Sequence, residues 1–161
     1  MDDKLNEFLK IAERLQSHHI KVLLFGSLGL SQHINENLNV VDIDILRPST
    51  YVSNQWCELK GYMEGMGYVL EDLHEHQFSN GKYKVAFAAI ECLTSFAGIA
   101  MDSIPVAKMS NVEYLLLTLQ QYLLVYTQSS KDSYRRNKNN DKDFLKIELI
   151  KRELGIERNL L

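Results

Sequence analysis

Two aspartates interrupt an apolar run in the segment Val40-Val41-Asp42-Ile43-Asp44-Ile45-Leu46. Aspartate is depleted in β-strands because its short carboxylate packs badly and competes for backbone hydrogen bonds. Side chains alternate across a strand, so Asp42 and Asp44 would share one side, roughly 7 Å apart along the chain. Ile43 and Ile45 would then point into the core. Two carboxylates on one face of a rigid strand are suited to binding a divalent cation.

A second pattern lies upstream of the aspartates. The apolar segment 21–25 leads into Gly26-Ser27, and residues 28–34 have the character of a short helix. A strand that turns directly into a helix presents unpaired backbone N–H groups, which together with the helix dipole attract phosphate. Glycine allows a close backbone approach, and Ser27 can donate a hydrogen bond to a phosphate oxygen. Each pattern alone is common, but in this order they indicate a metal-nucleotide site.

The composition is that of one ordinary globular domain. The chain has 161 residues, of which 45% are hydrophobic and 24% are charged, so it can bury about two-thirds of its unfolded surface. The net charge of −3 argues against a general nucleic-acid coat. The polar N-terminus and the lack of a long apolar run argue against a signal peptide and a membrane partner. We expect a cytoplasmic protein in which Cys57 and Cys92 are reduced and buried.

The periodicity predicts alternating helices and strands in the first two-thirds of the chain and helices in the last third. Predicted helices cover 3–17, 52–66 and 143–154; predicted strands cover 21–25, 40–46 and 68–72, followed by a hairpin around Asn80-Gly81. Ser110 and Glu113 have the spacing of a capping box, which predicts a long helix over 112–126. We therefore expect a single α/β (α+β) domain over 1–161, with a small mixed β-sheet and flanking helices over about 18–108 and a helical C-terminal extension over about 109–161.

In these motifs the chain resembles the minimal nucleotidyltransferase superfamily, which has the DNA polymerase β-like fold. The first motif is Phe25-Gly26-Ser27, followed after residues 28–41 by Asp42-Ile43-Asp44 between apolar residues. The C-terminal half is similar to the bacterial branch of antibiotic-modifying and toxin-type nucleotidyltransferases, through segments 104–115 and 135–144. The resemblance covers about residues 20–155. It implies that a nucleoside monophosphate is transferred from a nucleoside triphosphate (NTP) to an acceptor.

The resemblance also implies roles for individual residues. Asp42 and Asp44 would bind Mg²⁺ or Mn²⁺, and two such ions can hold the attacking and leaving oxygens of an in-line displacement. Gly26 and Ser27 would hold the β- and γ-phosphates of the NTP. Basic residues before the last helix, Arg136 and Lys142, would neutralise the phosphates. A solvated loop, with Asp143 capping the helix, is the structural alternative for that segment.

Glu91 is the candidate for a third carboxylate, which the resemblance implies as metal ligand and base. Family members carry this acid within a strand, where the present chain has Ala86, Ala88 or Ala89. The alternative for Glu91 is a solvated residue at a strand end. Without a third carboxylate, nucleotide binding could persist while deprotonation of the acceptor would be impaired.

Three functions are compatible with the sequence. The first is a nucleotidyltransferase acting on a small molecule, a protein or an RNA end. The second is a nucleotide-binding protein of the same fold that has lost catalysis and serves in regulation or in a toxin–antitoxin pair. The third is an interaction domain whose aspartates face solvent. A homodimer that completes the cleft is compatible with so small a chain.

Overall fold

The structure is a computed structural model that describes residues 3–51, 55–131 and 142–155. Its strands are β1 (Leu23–Phe25), β2 (Ile43–Arg47), β3 (Val69–Asp72), β4 (Gln77–Ser79), β5 (Lys84–Ala89), β6 (Val106–Met109) and β7 (Val112–Leu116). Within the described ranges they form one seven-stranded sheet in the order β3-β4-β5-β2-β1-β7-β6. The sheet is mixed, because β1 is antiparallel to β2 but parallel to β7, and β2 is parallel to β5.

Helices cover both faces of this sheet. They are α1 (Asp3–Gln16), α2 (Gly26–Leu30), α3 (Trp56–Gly65), α4 (Cys92–Ala97), α5 (Leu119–Ser130) and α6 (Lys142–Leu154), with short 3₁₀ turns at Ser49–Tyr51 and Met101–Ser103. None of the helices in the described ranges is both long enough and apolar enough to span a bilayer.

Alternate residues of the central strands point into two hydrophobic cores on opposite faces of the sheet. Ile43 and Ile45 of β2 are almost fully buried in the core that includes α1 and α3. Leu46 belongs to the other core, together with residues of α5 and α6. Because side chains alternate along a strand, Asp44 lies on the same face as α5 and α6. The two cores therefore fix which helices can reach the aspartates.

The predicted fold class, a mixed sheet with flanking and C-terminal helices, is confirmed. The first helix and the hairpin of β4 and β5 form as predicted. Strand β2 ends directly before Pro48, and α6 is followed by Gly155 at a φ of +76°. Residues 52–54 of the predicted second helix lie outside the described residues, and α3 begins at Trp56.

The helix predicted over 112–126 is wrong in its first part. Ser110 and Asn111 both have positive φ, 53° and 67°, and form the turn between β6 and β7. Strand β7 pairs in parallel with β1 and buries Tyr114, and a short apolar run in a buried strand cannot be told from a buried helix by periodicity. The capping box that begins α5 is formed instead by Thr118 and Gln121.

The predicted burial of the cysteines is also wrong. Cys57 and Cys92 are both free and exposed. Each lies in the first turn of a short helix, Cys57 in α3 and Cys92 in α4. The buried residues of these two helices are Leu59 and Met63 in α3 and Leu93 in α4.

The turn at Ser110 and Asn111 can be tested by substitution. Replacing the pair with Asn-Gly should stabilise the protein by about 1 kcal/mol, because glycine and asparagine tolerate the left-handed conformation that costs other residues energy. Thermal unfolding of the double variant Ser110→Asn, Asn111→Gly measures the effect. A loss of stability would contradict the hairpin and favour a helix here, since glycine destabilises helices.

Candidate active site

Asp42 and Asp44 lie at the start of β2 and line the same pocket. Asp44 is the second residue of the strand, and Asp42 directly precedes it. Both side chains are partly buried, whereas Ile43 between them is 1% exposed. The pocket has a volume of about 530 Å³, which is in the range of small-molecule sites. The structure therefore brings the two carboxylates together at one opening.

Gly26 brings the start of α2 against the second of these carboxylates. It follows β1 directly and has a φ of +64°, a conformation that glycine adopts readily and other residues rarely do. Phe25 pairs with Asp44 across the antiparallel β1 and β2. A Cβ atom added to Gly26 would overlap the Asp44 carboxylate. The absence of a side chain at Gly26 is thus what lets the turn and the carboxylate share this space.

Tyr122 supports α2 and the strand residue that precedes it. Tyr122 of α5 is fully buried and donates a hydrogen bond from its hydroxyl to the Leu24 carbonyl, at 3.0 Å. The same hydroxyl lies against Gly29, where any side chain would overlap it. At the other end of α2, Phe25 occupies the N-cap position and provides no side-chain cap. Ser27, one residue into the helix, lines the pocket beside Asp42 and Asp44.

Helix α6 contributes the positive charge of the pocket. Lys142 and Lys146 line it one helical turn apart, with Leu145 and Leu149 beside them. The Lys146 ammonium also lies 5.1 Å from the centre of the Tyr126 ring. The second predicted phosphate-binding residue, Arg136, lies outside the described residues. Lys146 was not among the site residues predicted from the sequence, although its spacing of four residues from Lys142 places both on one helix face.

The structure does not place Glu91 near Asp42 and Asp44. Strand β5 runs parallel to β2 with Ala86 opposite Asp44 and Ala89 opposite Arg47. Glu91 lies beyond the far end of β5, more than about 10 Å further along the strand direction. Its carboxylate accepts hydrogen bonds from the Ser49 backbone N–H at 3.0 Å and from the Ser49 hydroxyl at 2.9 Å. The residue of β5 that pairs with Asp44 is Ala86, which has no carboxylate.

A second cleft adjoins the first pocket. It has a volume of about 480 Å³ and shares three residues with the first, namely Ser27, Asp44 and Lys146. Its other walls are mostly apolar, and one carboxylate, Glu75, reaches it from the turn between β3 and β4. Asp44 therefore stands between two openings of similar size.

The turn that carries Glu75 is fixed by a buried cation. Arg47 is 0% exposed and donates a hydrogen bond from its Nη2 to Nδ1 of His76, at 2.7 Å. Burial lowers the pKa of the Arg47 guanidinium to about 10. The pKa of His76 is lowered by burial and by the charge of Arg47, and its ring stacks on Trp56 with centroids 4.2 Å apart.

The fold is that of the nucleotidyltransferase class. Two structures of the aminoglycoside nucleotidyltransferase ANT(2'')-Ia are similar to the chain at 15% sequence identity. The crystal structure with adenylyl-2''-tobramycin gives a TM-score of 0.63, covering 98% of this chain and 92% of the other. The solution structure gives 0.62, covering 97% and 88%. The predicted nucleotidyltransferase fold is thereby confirmed.

Sequence comparison assigns the chain to a family within this fold. It is 38% identical over 146 residues to the uncharacterized protein YnaI of Bacillus subtilis strain 168, an alignment that covers 90% of this chain and 94% of YnaI. The chain belongs to the family of YnaI. No protein-family model matches it.

The role of Gly26 is testable by adding a single methyl group. We expect Gly26→Ala to lower the free energy of unfolding by about 2 kcal/mol, because alanine is strained at positive φ and its Cβ displaces Asp44. Thermal unfolding measures the loss. The matched control is Gly61→Ala in α3, where an added Cβ meets nothing within 4 Å and should stabilise the helix. Equal stability of Gly26→Ala and the parent would contradict the close approach.

Glu91 should stabilise the fold in a pH-dependent way. Burial acts to raise the pKa of Glu91, but the hydrogen bonds from Ser49 and the charge of Arg47 outweigh it, so the pKa is lowered. A carboxyl with a lowered pKa in the folded state stabilises above its unfolded pKa, and this is lost as the pH falls through the folded value. Glu91→Gln should therefore destabilise the protein at neutral pH by less than about 1 kcal/mol, because solvent screens this exposed carboxylate, and it should cost little in strong acid.

Chemical denaturation over a series of pH values measures this difference, with the exposed Glu13→Gln as control. A cost that persists unchanged in strong acid would contradict the role of the charged form.

Proposed function

We propose that the protein transfers a nucleoside monophosphate from an NTP to an acceptor, with Mg²⁺ or Mn²⁺ as cofactor. The observation that carries the proposal is the convergence of two carboxylates and two lysines on one pocket, beside the start of a helix. An NTP bears phosphates that need cations and a metal ion that needs carboxylates. The opposite charges of this pocket match the two requirements.

The aspartates fit the metal. Mg²⁺ is bound in nucleotide sites by one or two carboxylates together with substrate phosphates and water. Asp42 and Asp44 supply two carboxylates, and Ser27 lines the same pocket beside them. The described residues contain no cluster of three potential protein ligands, so phosphate oxygens and water would complete the coordination. When bound, the metal would stabilise the negative charge that develops on the phosphate oxygens.

The chain's own residues bind and orient the donor. The uncapped N–H groups at the start of α2 and the Ser27 hydroxyl donate hydrogen bonds to the phosphates. Lys142 and Lys146 neutralise the charge of the pyrophosphate that leaves. Leu145 and Leu149 give the pocket an apolar wall for the base. An acceptor oxygen attacks the α-phosphate, pyrophosphate departs on the opposite side, and the acceptor proton passes to water.

A second function, nucleotide binding without transfer, is favoured by one observation. The strand position opposite Asp44 is occupied by Ala86, and Glu91 is engaged by Ser49. A base for the acceptor is therefore lacking at that position, and a regulatory role or a place in a toxin–antitoxin pair would not need one.

The proposal also includes the location and the assembly of the protein. We propose the cytoplasm, because it supplies both NTP and Mg²⁺. A homodimer that completes the cleft, with a small molecule, a protein or an RNA end as acceptor, is also part of the proposal.

Nucleotide binding is tested by thermal unfolding with ATP, GTP, CTP and UTP, each with and without Mg²⁺. We expect one or more NTPs to stabilise the parent only when Mg²⁺ is present, by about 3 kcal/mol at a hundredfold excess over the Kd. Asp44→Asn should abolish the effect because it removes a metal ligand. Asp102→Asn, an exposed residue outside both clefts, should leave it intact. Equal stabilisation of the parent and Asp44→Asn would count against the site.

Transfer is separated from binding by the position of a radioactive label. We expect label in the α-phosphate, but not in the γ-phosphate, to appear on a member of a mixed pool of hydroxyl-bearing compounds. Binding without transfer of label from either position would favour the second function.

A further inference from the structure

We propose that the second cleft binds the acceptor, and that this acceptor has an apolar body, a hydroxyl group and at most one positive charge. The proposal rests on the proposed function and specifies its second substrate. We call this cleft the acceptor cleft; its walls include Phe25, Ala86, Ala88, Cys92, Phe96 and Tyr126.

The shared residues place the acceptor cleft next to the reacting phosphate. Ser27, Asp44 and Lys146 line both openings. The first pocket also contains Asp42 and Lys142 and is therefore the one suited to a metal-bound triphosphate. A donor bound there leaves the acceptor cleft free on the other side of Asp44. A hydroxyl lying in that cleft would approach the phosphate at the junction, as an in-line displacement requires.

The walls of the acceptor cleft define the chemistry of its occupant. Its floor is formed by the small side chains of Ala86 and Ala88, which lie on the face of β5 that Asp44 occupies on β2. Phe96 is 42% exposed and offers an aromatic surface at one side. The volume of about 480 Å³ suits a small organic molecule. These surfaces gain free energy by covering apolar groups of a ligand.

The charges of the described cleft lining disfavour a polycation. Apart from Asp44, which belongs to the metal-nucleotide site, the described lining contains one carboxylate, Glu75. Lys146 adds a positive charge on the same cleft. An ammonium group removed from water without a carboxylate partner is strongly disfavoured. A molecule with many amines, such as the tobramycin bound in adenylylated form by ANT(2'')-Ia, would leave most of them unpaired here, whereas one amine could pair with Glu75.

The two free cysteines provide a direct readout of cleft occupancy. Cys92 lines the acceptor cleft, and Cys57 lines neither cleft; both are exposed. A ligand in the acceptor cleft should slow alkylation of Cys92 by N-ethylmaleimide and leave Cys57 unchanged. Mass spectrometry measures both rates on the same molecules. Because the measurement requires neither nucleotide nor turnover, its failure is distinguishable from failure of the proposed function.

The probes are naphthylethanol, which is neutral and aromatic, naphthylethylamine, which has one positive charge, and tobramycin. We expect the two naphthyl compounds at millimolar concentration to slow Cys92 alkylation at least threefold, with no effect of tobramycin. Glu75→Gln should weaken protection by the amine and not by the alcohol. Protection by tobramycin alone, or by none of the three probes, would overturn the proposal.

A charge added to the floor of the cleft gives a complementary test. Ala88 is exposed, so Ala88→Glu introduces a carboxylate without filling a core, and Ala88→Gln is the control of matched size. We expect tobramycin to protect Cys92 in Ala88→Glu and naphthylethanol to protect it less than in Ala88→Gln. An unchanged Cys57 rate verifies that each variant is folded. Identical protection patterns in the two variants would overturn the electrostatic part of the proposal.

Discussion

The close approach of the Gly26 backbone to the Asp44 carboxylate is the constraint on which the rest of the site depends. It requires a glycine at positive φ directly after β1, and it requires β1 and β2 to be antiparallel with Phe25 opposite Asp44. Tyr122 contacts both sides of this turn, through its hydrogen bond to the Leu24 carbonyl and its contact with Gly29. The turn at Gly26 and the Asp44 carboxylate are therefore positioned by the sheet and its central core.

The two faces of the sheet have different roles in the structure. The face covered by α1 and α3 buries Ile43 and Ile45 and gives the strands their stability. The face covered by α5 and α6 opens at the start of β2, where Asp44 and Lys146 lie between two clefts with different linings. The first contains two carboxylates and two lysines, and the second is largely apolar. Under the proposed function, the first pocket would hold the triphosphate and the second cleft would hold the acceptor.

The local parts of the site could be predicted from the sequence, because alternation in β2 and the Gly26-Ser27 turn depend on near neighbours. The parts set by long-range pairing could not. Strand β5 continues only as long as β2 pairs with it. The last pair is Arg47 with Ala89, so Glu91 lies outside the strand. The apolar run at Tyr114 reads equally well as helix until its pairing with β1 is known. Glu75 reaches its cleft through a buried contact between Arg47 and His76 that no local pattern reveals.

The most direct measurement is a crystal structure of the protein with Mn²⁺ and a non-hydrolysable NTP, with anomalous scattering used to locate the metal. We expect a manganese peak between the carboxylates of Asp42 and Asp44, with the phosphates lying over Gly26 and Ser27. A nucleotide bound elsewhere, or bound over Gly26 with the metal away from both aspartates, would contradict the assignment of this site.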